Sequence, residues 1–193
     1  MNNIFNDKIA EMKVCIRCSL CNSRQNVVIG RGSITPYILF VGRDPGVDED
    51  KTGQPFVGDS GKLLDKWIEY IELNKEDYTI TNLVMCHTPL NRGPKQEEVD
   101  ACSEWLDWKI QYLNPIIICT IGVDSTSYFL GDNYKTGITR YNGKFYKEVK
   151  YNKLIYPLVH PSFFLRHGGQ GWQEQLELLK IHLSTRKNNN DYI

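Results

Sequence analysis

The chain has 193 residues, 41% hydrophobic and 24% charged, which suits one globular domain with a genuine apolar core. Lysine and arginine number 23, as do aspartate and glutamate; this balance excludes a strongly basic, non-specific nucleic-acid binder, so a nucleic-acid partner would have to be met by local basic patches. No apolar run approaches the roughly 20 residues a membrane helix needs, and the opening MNNIFNDKIAEMKV lacks the apolar stretch of a secretion signal. The expectation is a soluble, cytoplasmic monomer with no membrane partner.

Residues 5–14 suit a short helix and lead into a cysteine-rich loop, CIRCSLCNSR, at 15–24. YILFVG (37–42) is a short apolar run ending in glycine, the pattern of a strand buried on both faces. The Pro/Gly/Asp-rich stretch 43–58 reads as a loop, and SGKLLDKWIEYIEL (60–73) as a helix. DYTITNLVM (77–85) has the composition of a strand, residues 95–113 carry apolar positions at steps of three and four, and PIIICTIG (115–122) is a third strand. Residues 132–153, rich in Gly, Asn, Tyr and Lys, read as loop or hairpin; LIYPLVH (154–160) is the fourth strand and 171–183 a closing helix. Alternating strands and helices predict an α/β fold of three layers, αβα, around a mostly parallel four-stranded sheet. One domain is expected over residues 1–185, with 186–193 a disordered tail. In such a sheet ligands bind at the carboxyl ends of the strands, where this chain carries its chemically loaded segments.

Six cysteines in a chain without an export signal are not expected to form disulfides. Cys15 and Cys18 make a C-x-x-C pair, Cys21 follows, Cys86 lies past the second strand, Cys102 on the next helix and Cys119 inside the third strand. Four thiolates could hold a [4Fe–4S] cluster or a zinc ion, and the spacing does not choose between them. Cys119 reads as a core residue, while Cys102 could be core or ligand.

GRDPGVDED (42–50) places Asp44 at the rim of the sheet after a Pro-Gly turn, where a carboxylate could orient water or stabilise a developing cation. The acidic run Asp48, Glu49 and Asp50 by itself reads rather as a solvated loop, as most charge runs do. Phe56, between glycine-containing turns, could stack on a flat ligand or plug the core. Asn82, near a strand end, offers a donor and an acceptor able to read the edge of a base. His160 could donate to a developing oxyanion or be a buried structural histidine. The apolar residues Phe163, Phe164 and Leu165 beside Arg166 look exposed, as a wedge entering a base stack would be. His87 reads as surface loop.

Taken together, these segments resemble the family 4, iron–sulfur uracil-DNA glycosylases from about Cys15 to Leu183. That family begins C-x-x-C-x-L, followed by an Arg and V-x-G-x-G; here the segment is CIRCSLCNSRQNVVIGRG. It continues with G-E-A-P-G-x-x-E-D, here GRDPGVDED, and G-x-P-F-V-G-x-x-G-x-L-L-D, here GQPFVGDSGKLLD. It has T-N with a cysteine four residues after the Asn, here TNLVMC, a further cysteine opening the next helix, here in DACSEWL, and H-P-[SA]-x-x-L-R, here HPSFFLR. The resemblance implies a uracil-DNA glycosylase-like fold and hydrolysis of the N-glycosidic bond of uracil flipped out of single- or double-stranded DNA, without strand cleavage. It implies Cys15, Cys18, Cys86 and Cys102 as ligands of a structural [4Fe–4S] cluster, leaving Cys21 and Cys119 aside. Phe56 would stack on the base, Asn82 read its edge and His160 stabilise charge on O2. Gly42, Arg43, Pro45, Gly46 and Ser162 would line the substrate, with Leu165 and Arg166 probing the duplex.

The chain departs from the family at Arg43-Asp44, which stand where it has Glu-Ala. Family 1 enzymes carry G-Q-D-P here, with the Asp positioning water, so Asp44 is expected to do so and Glu49 to line the pocket. Gly46 stands where family 1 has a Tyr that excludes thymine. The rival readings are a glycosylase for another modified or deaminated base, motivated by Arg43 and Asp44, and a non-catalytic iron–sulfur DNA-binding protein. A zinc or redox protein unrelated to DNA has only the C-x-x-C in its favour. The stretch 86–99 lacks the inserted basic loop of a crosslinking relative, so no covalent adduct with DNA is expected.

Overall fold

The computed structural model describes residues 2–188. Six strands form one sheet in the order β1-β3-β2-β4-β6-β5. β2 (Ile38–Gly42), β3 (Tyr78–Asn82), β4 (Ile117–Ile121) and β6 (Lys153–Leu158) are mutually parallel and correspond to the four expected strands. Two short antiparallel strands extend the edges: β1 (Arg31–Gly32) against β3 and β5 (Tyr146–Glu148) against β6. β5 lies in the Tyr- and Lys-rich segment read as loop or hairpin, which also holds two 3-10 turns at Asp132–Tyr134 and Ile138–Arg140.

Both faces of the sheet are covered, which is why the parallel strands read as continuous apolar runs. Pleating sends Ile38 and Phe40 of β2 to one face and Leu39 and Val41 to the other. On the first face α3 (Asp59–Tyr70) contributes Leu63, Leu64, Trp67 and Ile68, and α7 (Glu177–Asn188) contributes Leu179 and Leu183. On the second, α4 (Gln96–Leu113) buries Trp105, Leu106, Ile110 and Leu113 beside Met12 of α1 (Asn2–Lys13). Cys119 is fully buried on the α3 face, as a core residue.

Three helices occupy stretches not assigned a helix from sequence. α2 (Val47–Thr52) lies in the acidic segment, with Asp48, Glu49 and Asp50 in its first turn, where a helix N-terminus favours negative charge. The run is therefore an N-terminal signal rather than a solvated loop, and Asp50 is buried, accepting the Gln25 backbone N–H at 3.0 Å. α5 (Val123–Leu130) follows β4, and α6 (Pro161–Arg166) follows β6 with Pro161 in its first turn, a position proline fits well. α7 extends five residues past the expected helix end at 183, and the rest of the expected tail, 189–193, lies outside the described residues. Among the described residues no helix is long and apolar enough to cross a membrane.

Candidate active site

The carboxyl ends of the parallel strands open into a cleft of about 430 Å3. From β2 the chain crosses one way to β3 and then back past β2 to β4, so the cleft sits at the topological switch point where α/β sheets bind ligands. Arg43, Asp44, Pro45, Gly46, Glu49 and Phe56 line it from one stretch of chain, joined by Asn82, His160 and Ser162.

Gly42 lies behind this wall, at the end of β2 and in register with Asn82. A Cβ at Gly42 would fall 2.4 Å from Asn82 Oδ1 and 2.7 Å from the Phe56 ring. The glycine is what lets the amide and the aromatic face meet across the strand end. Phe56 has φ 54°, an outlier for a bulky side chain. Two contacts support that backbone: Glu49 Oε1 accepts the Val57 and Gly58 N–H groups at 2.8 and 3.0 Å, and Gly61 leaves room for the Phe56 carbonyl, 1.9 Å from where a Cβ would stand. The ring belongs both to the core under the sheet and to the cleft wall, so platform and plug are one side chain.

Asn82 is 2% exposed and its Oδ1 has no hydrogen-bond partner. Proteins seldom leave a buried acceptor unpaired, because the desolvation goes uncompensated; this one faces the cleft.

His160 caps α6. Its Nδ1 accepts the Ser162 backbone N–H at 3.2 Å and lies 2.8 Å from Ser162 Oγ, which in turn accepts from Arg166 Nη1 at 3.2 Å. A ring nitrogen that accepts an N–H carries no proton, so the neutral imidazole bears its hydrogen on Nε2. Burial, and then the cations of Arg43 and Arg166, push the His160 pKa down to about 4, against a weaker opposing pull from Asp124. At neutral pH the residue is an uncharged donor.

The Asp44 side chain, 5% exposed, accepts from Arg43 Nε and from Thr88 Oγ1 at 2.7 Å. Arg43 Nη1 also lies 3.8 Å from Asp124, so its guanidinium faces two carboxylates. His87 is half-buried rather than surface: its Nδ1 bonds the Pro45 carbonyl at 2.8 Å. Leu165 and Arg166 stand on the rim outside the cleft wall; Leu165 and Phe163 are exposed, but Phe164 packs edge-on against Trp67 instead of joining the wedge.

Sequence reading missed Ser60, Asn91, Ile121, Gly122, Val123 and Asp124, which also line the cleft, and Thr88. The segment Gly122–Asp124 had a usable signal, since it follows an apolar strand as Arg43–Gly46 does. Thr88 and Asn91 had none beyond their nearness to Asn82.

The four cysteines expected as ligands gather between α4, α1 and the loop after β3. Cys86 and Cys102 are buried, and Cys15 and Cys18 pack beside them. Burial pushes the Cys86 thiol up to about 12, with further upward pressure from Cys102 and Cys18; Cys102 is raised by burial and by Cys18 and Cys15. Two N–H donors aim at sulfur: Trp105 Nε1 to Cys15 at 3.4 Å and Arg24 Nη1 to Cys86 at 3.6 Å. Among the described residues no three His, Cys, Asp or Glu side chains converge as a metal-binding group. The donor chemistry nevertheless fits a thiolate-bound centre: burial keeps the Cys86 and Cys102 thiols neutral unless a cationic centre draws off their protons, and N–H donors to sulfur are the usual outer shell of an iron–sulfur cluster.

Comparison with known proteins agrees with this geometry. The Uracil DNA glycosylase superfamily matches residues 29–181. A type-4 uracil-DNA glycosylase of Saccharolobus solfataricus is 44% identical over 168 residues, 84% of this chain and 77% of that protein. One from Thermotoga maritima is 40% identical over 156 residues, 81% of this chain and 80% of its own length. One from Sulfurisphaera tokodaii is 41% identical over 163 residues, 81% and 74% of the two chains. With the strand order, the cleft and the motif residues in place, the chain belongs to the uracil-DNA glycosylase superfamily, on its type-4 branch.

Proposed function

We propose that this protein hydrolyses the N-glycosidic bond of uracil in DNA, opening base-excision repair and leaving an abasic site with the strand intact. The observation that carries the reading is the buried, unpartnered Asn82 Oδ1 facing a cleft that also holds the neutral donor His160. Uracil presents what this pair lacks: N3–H for Asn82 Oδ1, O4 for the Asn82 amide N–H, and O2 for His160 Nε2–H.

The base must first leave the stack, at a few kcal/mol, and lie against Phe56. As the C1′–N1 bond breaks, its electron pair passes to uracil, and charge growing on O2 meets the His160 donor, already oriented by Ser162 and costing no reorganisation. Asp44, held by Arg43 and Thr88, orients water toward C1′ and takes its proton as the C1′–O bond forms; uracil is later protonated from solvent. Glu49 acts by position. Its Oε1 holds the Val57–Gly58 backbone and thereby Phe56, while its Oε2 lies 2.5 Å from where a Gly46 Cβ would stand. A carboxylate there occupies the space a bulkier residue 46 would use against the 5-methyl of thymine.

Cys15, Cys18, Cys86 and Cys102 would hold a [4Fe–4S] cluster whose contribution is structural, tying the N-terminal segment to α4 and to the loop after β3. Cys21 lies beside the set and Cys119 on the opposite face of the sheet.

The test is single-turnover excision from an oligonucleotide with one uracil, with alkali revealing abasic sites. Cleavage by the wild-type protein that disappears in His160→Ala supports the reading. No cleavage by cluster-loaded protein overturns it and moves the assignment to another base.

A further inference from the structure

Among the described residues Leu90 is the most exposed large apolar side chain, at 99%, and its backbone is left-handed, φ 57° and ψ 26°. Asn91 follows at φ 54°. Asparagine enters this region readily; leucine does so at a steric cost, and glycine would hold the same turn without it. The surrounding turn is firmly anchored. Thr88 is buried, with its hydroxyl 2.7 Å from the Asp44 carboxylate and 2.6 Å from the Arg92 carbonyl. Arg92 donates two bonds, of 2.8 and 2.6 Å, to the fully buried Glu98. Asn91 lines the cleft. These contacts explain the turn but not the leucine, whose side chain leans on nothing. An apolar group held out in a strained backbone on a rigid support points to use.

We propose that Leu90 is a second DNA-contacting wedge, packing on the nucleotide beside the extruded base from the rim opposite Leu165 and Arg166. The topology sets the two tips apart: one follows β3 and the other β6, with β2 and β4 between them. A strand that feeds a base down to Asn82 therefore brings a neighbouring nucleotide over each rim. Extruding a base uncovers the apolar faces of its neighbours, and an exposed leucine re-covers one of them. Arg92 is committed to Glu98, but the exposed Lys95 near the tip, held only at 3.5 Å by the equally exposed Glu97, can turn to the phosphates of that strand, which suits a nucleic acid better than the surface of another protein. The inference rests on the glycosylase reading above.

The test compares Leu90→Gly and Leu90→Met with the wild type in single-turnover excision on duplex and single-stranded uracil DNA, in affinity for a duplex carrying an abasic analogue, and in thermal midpoint. Leu90→Gly is expected to melt at or above the wild-type temperature, since glycine relieves the turn, yet to lose roughly tenfold in duplex excision, the scale of one exposed leucine's burial. Its loss on single-stranded DNA is smaller, because no stack has to be replaced. Leu90→Met stays near wild type. Full duplex activity in Leu90→Gly overturns the inference, and so does an equal loss in both variants, which would show that apolar reach is not what matters. A wild-type protein that releases no uracil defeats the glycosylase reading itself, and is seen before any variant is compared.

Discussion

Replacing Gly42 by alanine should disable the site while sparing the fold. The added Cβ would lie 2.4 Å from Asn82 Oδ1 and 2.7 and 2.8 Å from two carbons of the Phe56 ring. Comfortable non-bonded contacts begin at about 3.5 Å, so amide and ring must each retreat by roughly 1 Å. Neither has an easy way back. Phe56 is pinned by its positive φ and by the N–H bonds that Glu49 accepts from Val57 and Gly58, with its carbonyl seated in the space that Gly61 leaves free. Asn82 is held in a buried, paired strand. A misplacement of about 1 Å costs on the order of 100-fold in rate, or about 3 kcal/mol of barrier, whereas overpacking one methyl costs stability about 1–3 kcal/mol. Single-turnover excision, with circular dichroism melts and affinity for abasic DNA measured in parallel, separates the two effects. The expected result is a folded protein that binds abasic DNA and excises uracil about 100-fold more slowly. A rate within about threefold of wild type, with an unchanged melt, would refute the claim that Gly42 sets the distance between Asn82 and Phe56.

Other consequences follow from the same geometry. His160 is neutral in the fold down to about pH 4 but takes a proton near the ordinary histidine value of about 6.5 when unfolded. The unfolded chain therefore binds more protons between these values, and the stability due to His160 is complete above about pH 6.5 and lost as pH falls toward 4. Histidine NMR titration and melts at stepped pH should show this, with the ring titrating higher in Arg43→Ala once one of its repelling cations is gone. Asp44→Asn should lower excision by about 100-fold or more, whereas Glu49→Gln, whose amide oxygen can still accept the Val57 and Gly58 N–H groups, should lose far less; the reverse ranking in single-turnover assays would reassign the water to Glu49. Cys102→Ser should lower bound iron and its visible absorption, while Cys21→Ser and Cys119→Ser keep both, as metal analysis and spectra of purified protein would report.

What the sequence made legible followed how directly local pattern encodes position. The four parallel strands were readable because burial on both faces leaves no polar alternation. Asp44, Asn82 and His160 were readable because each sits at or just past a strand end, so the topology brings them together. α2 was misread because its charges were taken as solvated when they marked a helix start. Phe164 was misread because three apolar residues in a row do not reveal which one a helix turns inward; on α6 it is the middle one, against Trp67. Thr88 reaches Asp44 across 44 residues of chain, and no spacing rule forecasts a contact that depends on where two loops meet.

That contact also bears on what a cluster held by Cys15, Cys18, Cys86 and Cys102 would do for the cleft. Six residues after Cys86 the chain reaches Arg92, and three of the five residues between, His87, Thr88 and Asn91, have a structural duty toward the cleft. His87 holds the Pro45 carbonyl, Thr88 holds Asp44, Asn91 lines the wall, and Arg92 locks onto Glu98 at the start of α4. α4 carries Cys102 one turn further along. The loop is thus gripped at one end by the Arg92–Glu98 pair and at the other by Cys86, whose sulfur Arg24 already contacts. A cluster bound to Cys86 and Cys102 would close this segment into a ring with α4, leaving the Thr88–Asp44 and His87–Pro45 bonds little freedom to open. Removal of such a cluster would then weaken excision by loosening Asp44 and leave Asn82 on β3, and Phe56 supported by Glu49, largely in place. Cluster-depleted protein should then lose more in rate than in affinity for uracil-containing DNA; a loss of affinity alone would place the cluster's role in docking instead.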